Sequence, residues 1–306
     1  MVDSPVPTPG PGQALVKIAA SGVNFIDVYF RTGLYKSPQL PFVPGQEGAG
    51  VVEAVGPGVS EVAVGDRVAY ASLQGSYAEV RLAPAARLVK LPAAIDDRTA
   101  AAIMLKGMTA EYLLFRCAKV SPPETILFHA AAGGVGSITC QWAKHLGLRV
   151  IGTAGGAEKV ARAAQRGCDH VIDYDAQSIV DEVKRLTAGE GVGVVFDGVG
   201  KRTFDDSLAS LRRRGMLVLF GQSSGPVAPI NPGLLAGGSL FLTRPALGHY
   251  IATREELVTS TSRLFEVVAS GAVKIDVGQS YALRDAAAAH RDLEARKTTG
   301  STLLIP

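Results

Sequence analysis

Five short apolar runs in the middle of the chain, at 125–130, 149–153, 170–173, 192–197 and 216–221, alternate with helical stretches near 138–146, 158–166, 179–186 and 203–211. Regular strand–helix alternation at this spacing predicts a parallel sheet with helices on both faces. The runs are continuously apolar rather than alternating, as strands buried on both faces should be. A helical stretch at 99–119 leads into the series. This feature constrains the fold more than any other: it predicts an α/β protein with a doubly wound parallel sheet at its centre.

The flanks have a different texture. Up to about Pro92 the chain carries short β-rich runs at 14–20, 48–55 and 67–70, punctuated by Gly56-Pro57-Gly58 and Gly65-Asp66, with a short helical stretch at 24–31. Several short strands separated by Gly and Pro predict a compact, barrel-like β domain. After Gly248 come a helix at 253–270, a β-like run at 274–283, a helix at 284–295 and a last strand at 302–305. A terminal strand is best buried by rejoining an earlier element. The tail is therefore expected to pack with the N-terminal β domain, making that domain discontinuous. The 306 residues suit two domains.

Composition removes several function classes. With 47% apolar and 19% charged residues the chain is not disordered. No run approaches the roughly 18 apolar residues of a spanning helix. The start, MVDSPVPTPGPG, has neither the basic nor the apolar region of a secretory signal. A net charge of +3, from 31 basic and 28 acidic residues, is too weak and dispersed for a nucleic-acid partner. The run Arg212-Arg213-Arg214 reads as a solvated helix end. Three widely spaced cysteines, Cys117, Cys140 and Cys168, suggest a reducing, cytoplasmic setting without disulfides. The 35 glycines imply many turns, or loops that approach a ligand closely.

The strongest local signal follows the first central strand. In ILFHAAAGGVGSITCQWAK (126–144), Ala131, Gly133 and Gly136 occupy the three spaced positions of a dinucleotide fingerprint. Gly133 lets the backbone approach a pyrophosphate, and Gly136 lets the helix pack against the strand. The helix N-terminus offers free N–H groups and a partial positive charge. Ala132, Gly133, Gly134, Val135 and Gly136 are thus candidate phosphate-loop residues. An NAD site usually ends its second strand with an acid that binds the ribose 2′-OH. Here that strand runs into Gly152-Thr153-Ala154-Gly155-Gly156-Ala157-Glu158-Lys159. Gly155 leaves room for a 2′-phosphate, Lys159 supplies a cation, and Glu158 falls in the first helical turn, where an acid suits the dipole. The expected cofactor is NADP(H).

At this point the chain resembles a known family, the zinc-free, ζ-crystallin-like NADPH:quinone oxidoreductases of the medium-chain dehydrogenase/reductase superfamily. The resemblance runs essentially end to end. Its marks are SGVNFIDVYFRTGLY (21–35), VPGQEGAGVVEAVG (43–56), GDRV (65–68), LKGMTA (105–110), the AAGGVG loop with Gln141 and Lys144, FDGVG (196–200), FGQSSG (220–225) and TRP (243–245). It implies a Rossmann doubly wound NADP-binding domain at 107–247, inserted in a GroES-like β-barrel catalytic domain formed by 1–106 and 248–306. Lys159, Tyr174 and Arg296 match positions around the adenosine 2′-phosphate, although Tyr174 could simply cap a strand and Arg296 could be a surface charge. Asn24 matches a residue beside the nicotinamide. Thr109 is expected to begin the helix lining the cofactor cleft. Gly221, Gln222 and Ser223 match the loop at the nicotinamide end, with Val199 and Phe220 in the same cofactor set. Tyr29 and Tyr35 match positions near the substrate, and Asn24, Tyr29 and Tyr35 form the candidate catalytic set.

Zinc relatives place Cys, His and Cys around a catalytic metal. The matching positions here are Asn24, Gln46 and Leu105, none a good zinc ligand, and the four close cysteines of a structural zinc lobe are missing. His129, His145, His170, His249 and His290 form no close metal-binding spacing, and His129 reads as a satisfied core histidine. Without a Lewis acid, alcohol oxidation loses its usual support. A quinone is electrophilic enough to accept hydride directly, with the protein orienting the partners in an apolar cleft. The rival enzyme reading is an NADPH-dependent reductase of enones, alkenals or enoyl thioesters. A binding or structural role on a retained cofactor fold is a third. The resemblance also implies a homodimer through an edge strand from Leu240 to Thr243. It implies, too, a β-hairpin of roughly 20 residues ahead of the segment matching Pro5 to Gln13. The expectation is therefore a late start, or a catalytic-domain sheet lacking strands.

Overall fold

The computed structural model describes residues 2–37 and 40–306. The chain divides into two compact units. Unit 1 comprises Met1–Met108, Tyr250–Ser270 and Ile275–Pro306; unit 2 comprises Thr109–His249 and Gly271–Lys274.

Unit 1 is organised by β1 (Gln13–Val23), followed by α1 (Phe25–Arg31), β2 (Glu47–Val55), β3 (Arg67–Ala71), β4 (Val80–Pro84), β5 (Val89–Lys90) and all but the last turn of α2 (Asp97–Tyr112). β1 pairs antiparallel with β2, β4 and the last strand, and two register shifts against β2, at Leu15/Val16 and Ile18/Ala20, bend it. A Cβ on Gly50 would sit 1.9 Å from the Lys17 carbonyl oxygen, so the bent pair closes only around a glycine. The inward residues Ala14, Val16, Ile18, Val52, Val68, Tyr70 and Leu88 form the core of this β layer.

Unit 2 holds β6 (Thr125–Phe128), α3 (Gly134–His145), β7 (Arg149–Ala154), α4 (Ala157–Gln165), β8 (His170–Asp173), α5 (Ile179–Leu186), β9 (Val192–Asp197), α6 (Phe204–Ala209), β10 (Leu211–Leu219), β11 (Phe241–Thr243) and α7 (Leu247–Tyr250). The chain then returns to unit 1 through α8 (Arg254–Ala269), β12 (Val277–Ala282), α9 (Ala286–Glu294) and β13 (Ser301–Ile305). β13 lies between β1 and β12. The second sheet is parallel throughout, in the order β11-β10-β9-β6-β7-β8. The chain winds outward from β6 to β8, then crosses back to β9 and out to β11. This reversal creates a topological switch point beside β6, where α/β sheets bind their ligands. Leu127, Ile151, Ile172, Val195 and Leu217 form its core with Val183 and Phe204.

Several local readings change. Arg212-Arg213-Arg214 belongs to β10, not to a helix end: the three side chains are exposed, Arg214 has φ +60°, and the register with β9 shifts between Leu211 and Met216. α3 begins at Gly134, four residues before the expected 138, because its first turn is built from the loop glycines. The helix at 99–119 is α2 followed by a π-helical turn at Leu113–Cys117. Thr109 therefore lies in the last turn of α2 rather than at a helix start.

Candidate active site

The glycine loop meets its helix as the fingerprint requires. Gly133 is the N-cap of α3, in extended conformation, and α3 carries no acid in its first turn. A Cβ on Gly133 would meet only the Ala130 carbonyl oxygen, at 3.2 Å, so its outer side is open to a ligand. A Cβ on Gly136 would lie 2.5 Å from that oxygen and 2.8 Å from Ala131 Cα, so Gly136 serves close packing of helix on strand. Ala132 is buried, and Gly134 and Val135 open the helix.

The neighbouring strands end in a continuous rim. β7 ends at Ala154, and its next residue, Gly155, lies against the Tyr174 ring: a Cβ there would be 2.6 Å from the phenol oxygen. The Tyr174 N–H donates to the Ala154 carbonyl at 3.1 Å, joining the ends of β7 and β8. Asp173, the acid nearest this corner, accepts from the Gly156 and Asp175 N–H groups, both at 3.1 Å. Lys159 stands half-buried in the first turns of α4. Arg202, which sequence reasoning missed, places its guanidinium 5.9 Å from the Tyr174 ring centroid. Its signal was its place just after FDGVG. Arg296 belongs to unit 1, is exposed and follows α9 with φ +58°.

On the other side of β6 two loops are laced together. Phe220 and Gly221 donate N–H to the Asp197 carbonyl, Ser223 to that of Gly198 and Ser224 to that of Val199. A Cβ on Gly221 would lie 2.5 Å from the Gly198 carbonyl oxygen. Asp197 is fully buried and accepts from the Val199 and Gly200 N–H groups and the Thr203 and Ser207 hydroxyls, at 2.7–2.9 Å. His129 bridges Thr153 and Ser207 at 3.1 and 3.0 Å, and burial pushes its pKa below the usual value. It is a core histidine that shapes both corners. The structure thus gathers Ala132–Gly136, Gly155, Lys159, Tyr174, Val199 and Phe220–Ser223 along the carboxyl ends of five adjacent strands.

In unit 1, Asn24 caps α1, its N–H donating to Asp27 Oδ2 at 2.9 Å. Its side-chain Nδ2 donates to Glu47 Oε1 at 2.8 Å and to the Gly22 carbonyl at 3.5 Å. Lys106 Nζ lies 2.5 Å from the same Glu47 oxygen, and the Leu105 N–H donates to Oε2 at 2.7 Å. Glu47 and Lys106 are buried, so this is an interior ion pair with every short contact directed. Asp27 is buried too, and desolvation raises its pKa to about 7 despite hydrogen bonds from Asn24 and Tyr77. Tyr77 also meets His290 Nε2 at 2.9 Å, while burial lowers the His290 pKa. Tyr29 is buried on α1 with Tyr35 edge-on at 5.2 Å, and Phe30 lies 5.8 Å from Tyr35. The three catalytic candidates therefore surround one short helix. At the positions matching zinc ligands, Asn24 and Leu105 both bond Glu47, and Gln46 is buried. Among the described residues no three His, Cys, Asp or Glu side chains converge as a metal set.

This combination defines a class: a nucleotide-binding parallel-sheet unit joined to a β-rich unit, as in the dehydrogenases and reductases. Residues 10–93 match the model of the alcohol dehydrogenase GroES-like domain, and 134–263 that of the zinc-binding dehydrogenase. The quinone oxidoreductase of Salmonella typhimurium is 52% identical over 302 residues, 97% of this chain and 92% of the relative. The 2-haloacrylate reductase of a Burkholderia species is 45% identical, covering 98% and 93%. The crystal structure of Escherichia coli quinone oxidoreductase complexed with NADPH superposes with a TM-score of 0.98 at 48% identity, covering 100% of this chain and 95% of that one. The chain belongs to the quinone oxidoreductase family of the medium-chain dehydrogenase/reductase superfamily, and it is an oxidoreductase.

Proposed function

We propose that this protein is an NADPH-dependent quinone oxidoreductase that works without zinc. The observation that carries the reading is the rim of unit 2: an open glycine loop at a helix N-terminus, and a second strand ending without an acid beside Lys159. These residues fit NADPH. Gly133 admits the pyrophosphate against the α3 amides. Lys159 and Tyr174, joined by Arg202, would hold the 2′-phosphate, and the resemblance alone implies Arg296 in that role. Val199 and the loop 220–223 would hold the nicotinamide end, with Thr109 on α2 in the same set.

Bound NADPH would supply the reducing electrons, as a hydride or one at a time. The chain's own work is to bind, orient and exclude water. Asn24, fixed at the start of α1, orients the nicotinamide end. Tyr29 and Tyr35, with Phe30, offer aromatic surface suited to a planar acceptor. Tyr35 is the candidate proton donor, although a reduced quinone can also be protonated by water. The 2-haloacrylate reductase relative favours a second reading, reduction of an activated carbon–carbon double bond.

The assembly reading is a homodimer through β11. This edge strand has one sheet neighbour, and its Phe241 is 55% exposed. A cytoplasmic setting is supported by the odd and sparse set of three cysteines. Among the described residues no helix is long and apolar enough to cross a membrane.

A panel of acceptors with NADPH tests the function: a naphthoquinone, an alkenal, 2-chloroacrylate and a crotonyl thioester. The reading expects the largest kcat/KM for the quinone. Turnover of an alkene with none of the quinone assigns the second reading instead.

A further inference from the structure

Asn24 has two amide hydrogens, and both are directed inward, to Glu47 Oε1 and to the Gly22 carbonyl. An ionised carboxylate only accepts, so an amide facing it must turn its NH2 toward it. What remains for a ligand is a lone pair of Oδ1, which also faces the Asp27 N–H in the capping box at the start of α1. This orientation depends on a charged Glu47 in a place with no solvent, and Lys106 is the cation that holds the charge there. The space is built for it: a Cβ on Gly22 would lie 2.2 Å from Glu47 Oε1. A second anchor, the Asn24 N–H on Asp27, fixes the backbone from the other side.

Buried ion pairs are a poor source of stability, because desolvation offsets their attraction. Apolar residues of similar volume would serve the core of unit 1 as well. The pair lies directly behind Asn24, a residue proposed to bind the cofactor, and its shared oxygen Oε1 bonds both Lys106 and Asn24. We propose that Glu47 and Lys106 are positioning residues for Asn24: through one carboxylate oxygen they fix its amide so that only the Oδ1 acceptor is offered to the cofactor. Asn24 then recognises a hydrogen-bond donor, a hydroxyl or an amide N–H. It does not donate to the carbonyl oxygen of the electron acceptor. The inference rests on the NADPH reading above.

A double-mutant cycle tests it. The variants are Asn24→Ala, the charge-free pair Glu47→Gln with Lys106→Met, and all three together. Thermal melts verify folding. NADPH affinity is read by nucleotide fluorescence, and kcat is read separately with a naphthoquinone. The pair variant is expected to fold, to bind NADPH severalfold more weakly and to turn over more slowly. The triple variant is expected to be no worse than Asn24→Ala, because the pair acts only through Asn24. Wild-type affinity and kcat in the pair variant overturn the proposal, as do losses that multiply in the triple variant. If the pair variant does not fold, Glu47→Gln alone runs the same cycle. The unsubstituted protein serves as a separate arm: if it binds no NADPH, the cofactor reading fails, and this inference with it.

Discussion

Asp27 is a carboxylate whose charge the fold tolerates poorly. Its carboxyl is 1% exposed, Oδ1 has no hydrogen-bond partner, and Glu47 adds repulsion that Lys106 offsets only in part. Burial moves its pKa from 3.8 to about 7. The folded protein therefore holds a proton that the unfolded chain releases, and stability falls as pH rises through that window. At about 1.4 kcal/mol per pKa unit, roughly three units amount to about 4 kcal/mol, fully lost by slightly alkaline pH. Asp27→Asn keeps the shape and removes the titration. His290 runs the other way: its lowered pKa contributes stability that is lost as pH falls below the ordinary histidine value of 6.5. That term is present in both proteins, so the difference between them isolates Asp27. Urea unfolding followed by circular dichroism, from about pH 5 to about pH 8, measures it. Across that window the variant is expected to gain on the wild type by about 2.5 kcal/mol, levelling off above about pH 7, because part of the total is already lost at pH 5. Parallel pH dependences in the two proteins refute the reasoning.

Lys159→Ala is expected to weaken NADPH by about 1.5–3 kcal/mol, the worth of a charged hydrogen bond, and to leave NADH unchanged; initial rates with each nucleotide check this. Gly133→Ala should melt like the wild type yet lose NADPH affinity, since the added methyl meets little protein but occupies the phosphate approach. Gly136→Ala should lose stability as well, because its methyl meets backbone at 2.5 Å, and calorimetry with and without NADPH separates the two. On the proposed dimer through β11, the wild type should sediment as a dimer and Phe241→Glu, at an exposed edge residue, as a monomer.

The parallel sheet was legible because each central strand is a continuous apolar run, and Ala131, Gly133 and Gly136 announced its nucleotide loop. Boundaries were less so. The glycines that mark the loop also hid the first turn of α3, since glycine is a weak helix former. The arginines of 212–214 read as a helix end because nothing local distinguishes a solvated, bulged strand from one. Strands β4 and β5 were missed because they are short and lack alternation. Asn24 was named as a candidate from the sequence, but what holds it was not. Glu47 and Lys106 are 59 positions apart, and no sequence pattern pairs a β2 carboxylate with an α2 ammonium. Arg202 follows FDGVG closely in sequence, but its relation to Tyr174 exists only once β8 and β9 reach their places on either side of β6 and β7.

The central claim is that NADPH, selected by the acid-free end of β7, is oxidised by a quinone on this protein. The direct measurement is kcat/KM for NADPH and for NADH with one naphthoquinone, in the presence of a zinc chelator. The account predicts quinone-dependent oxidation that strongly prefers NADPH and is unaffected by the chelator. Equal use of the two nucleotides, or a rate abolished by chelation and restored by zinc, would contradict it.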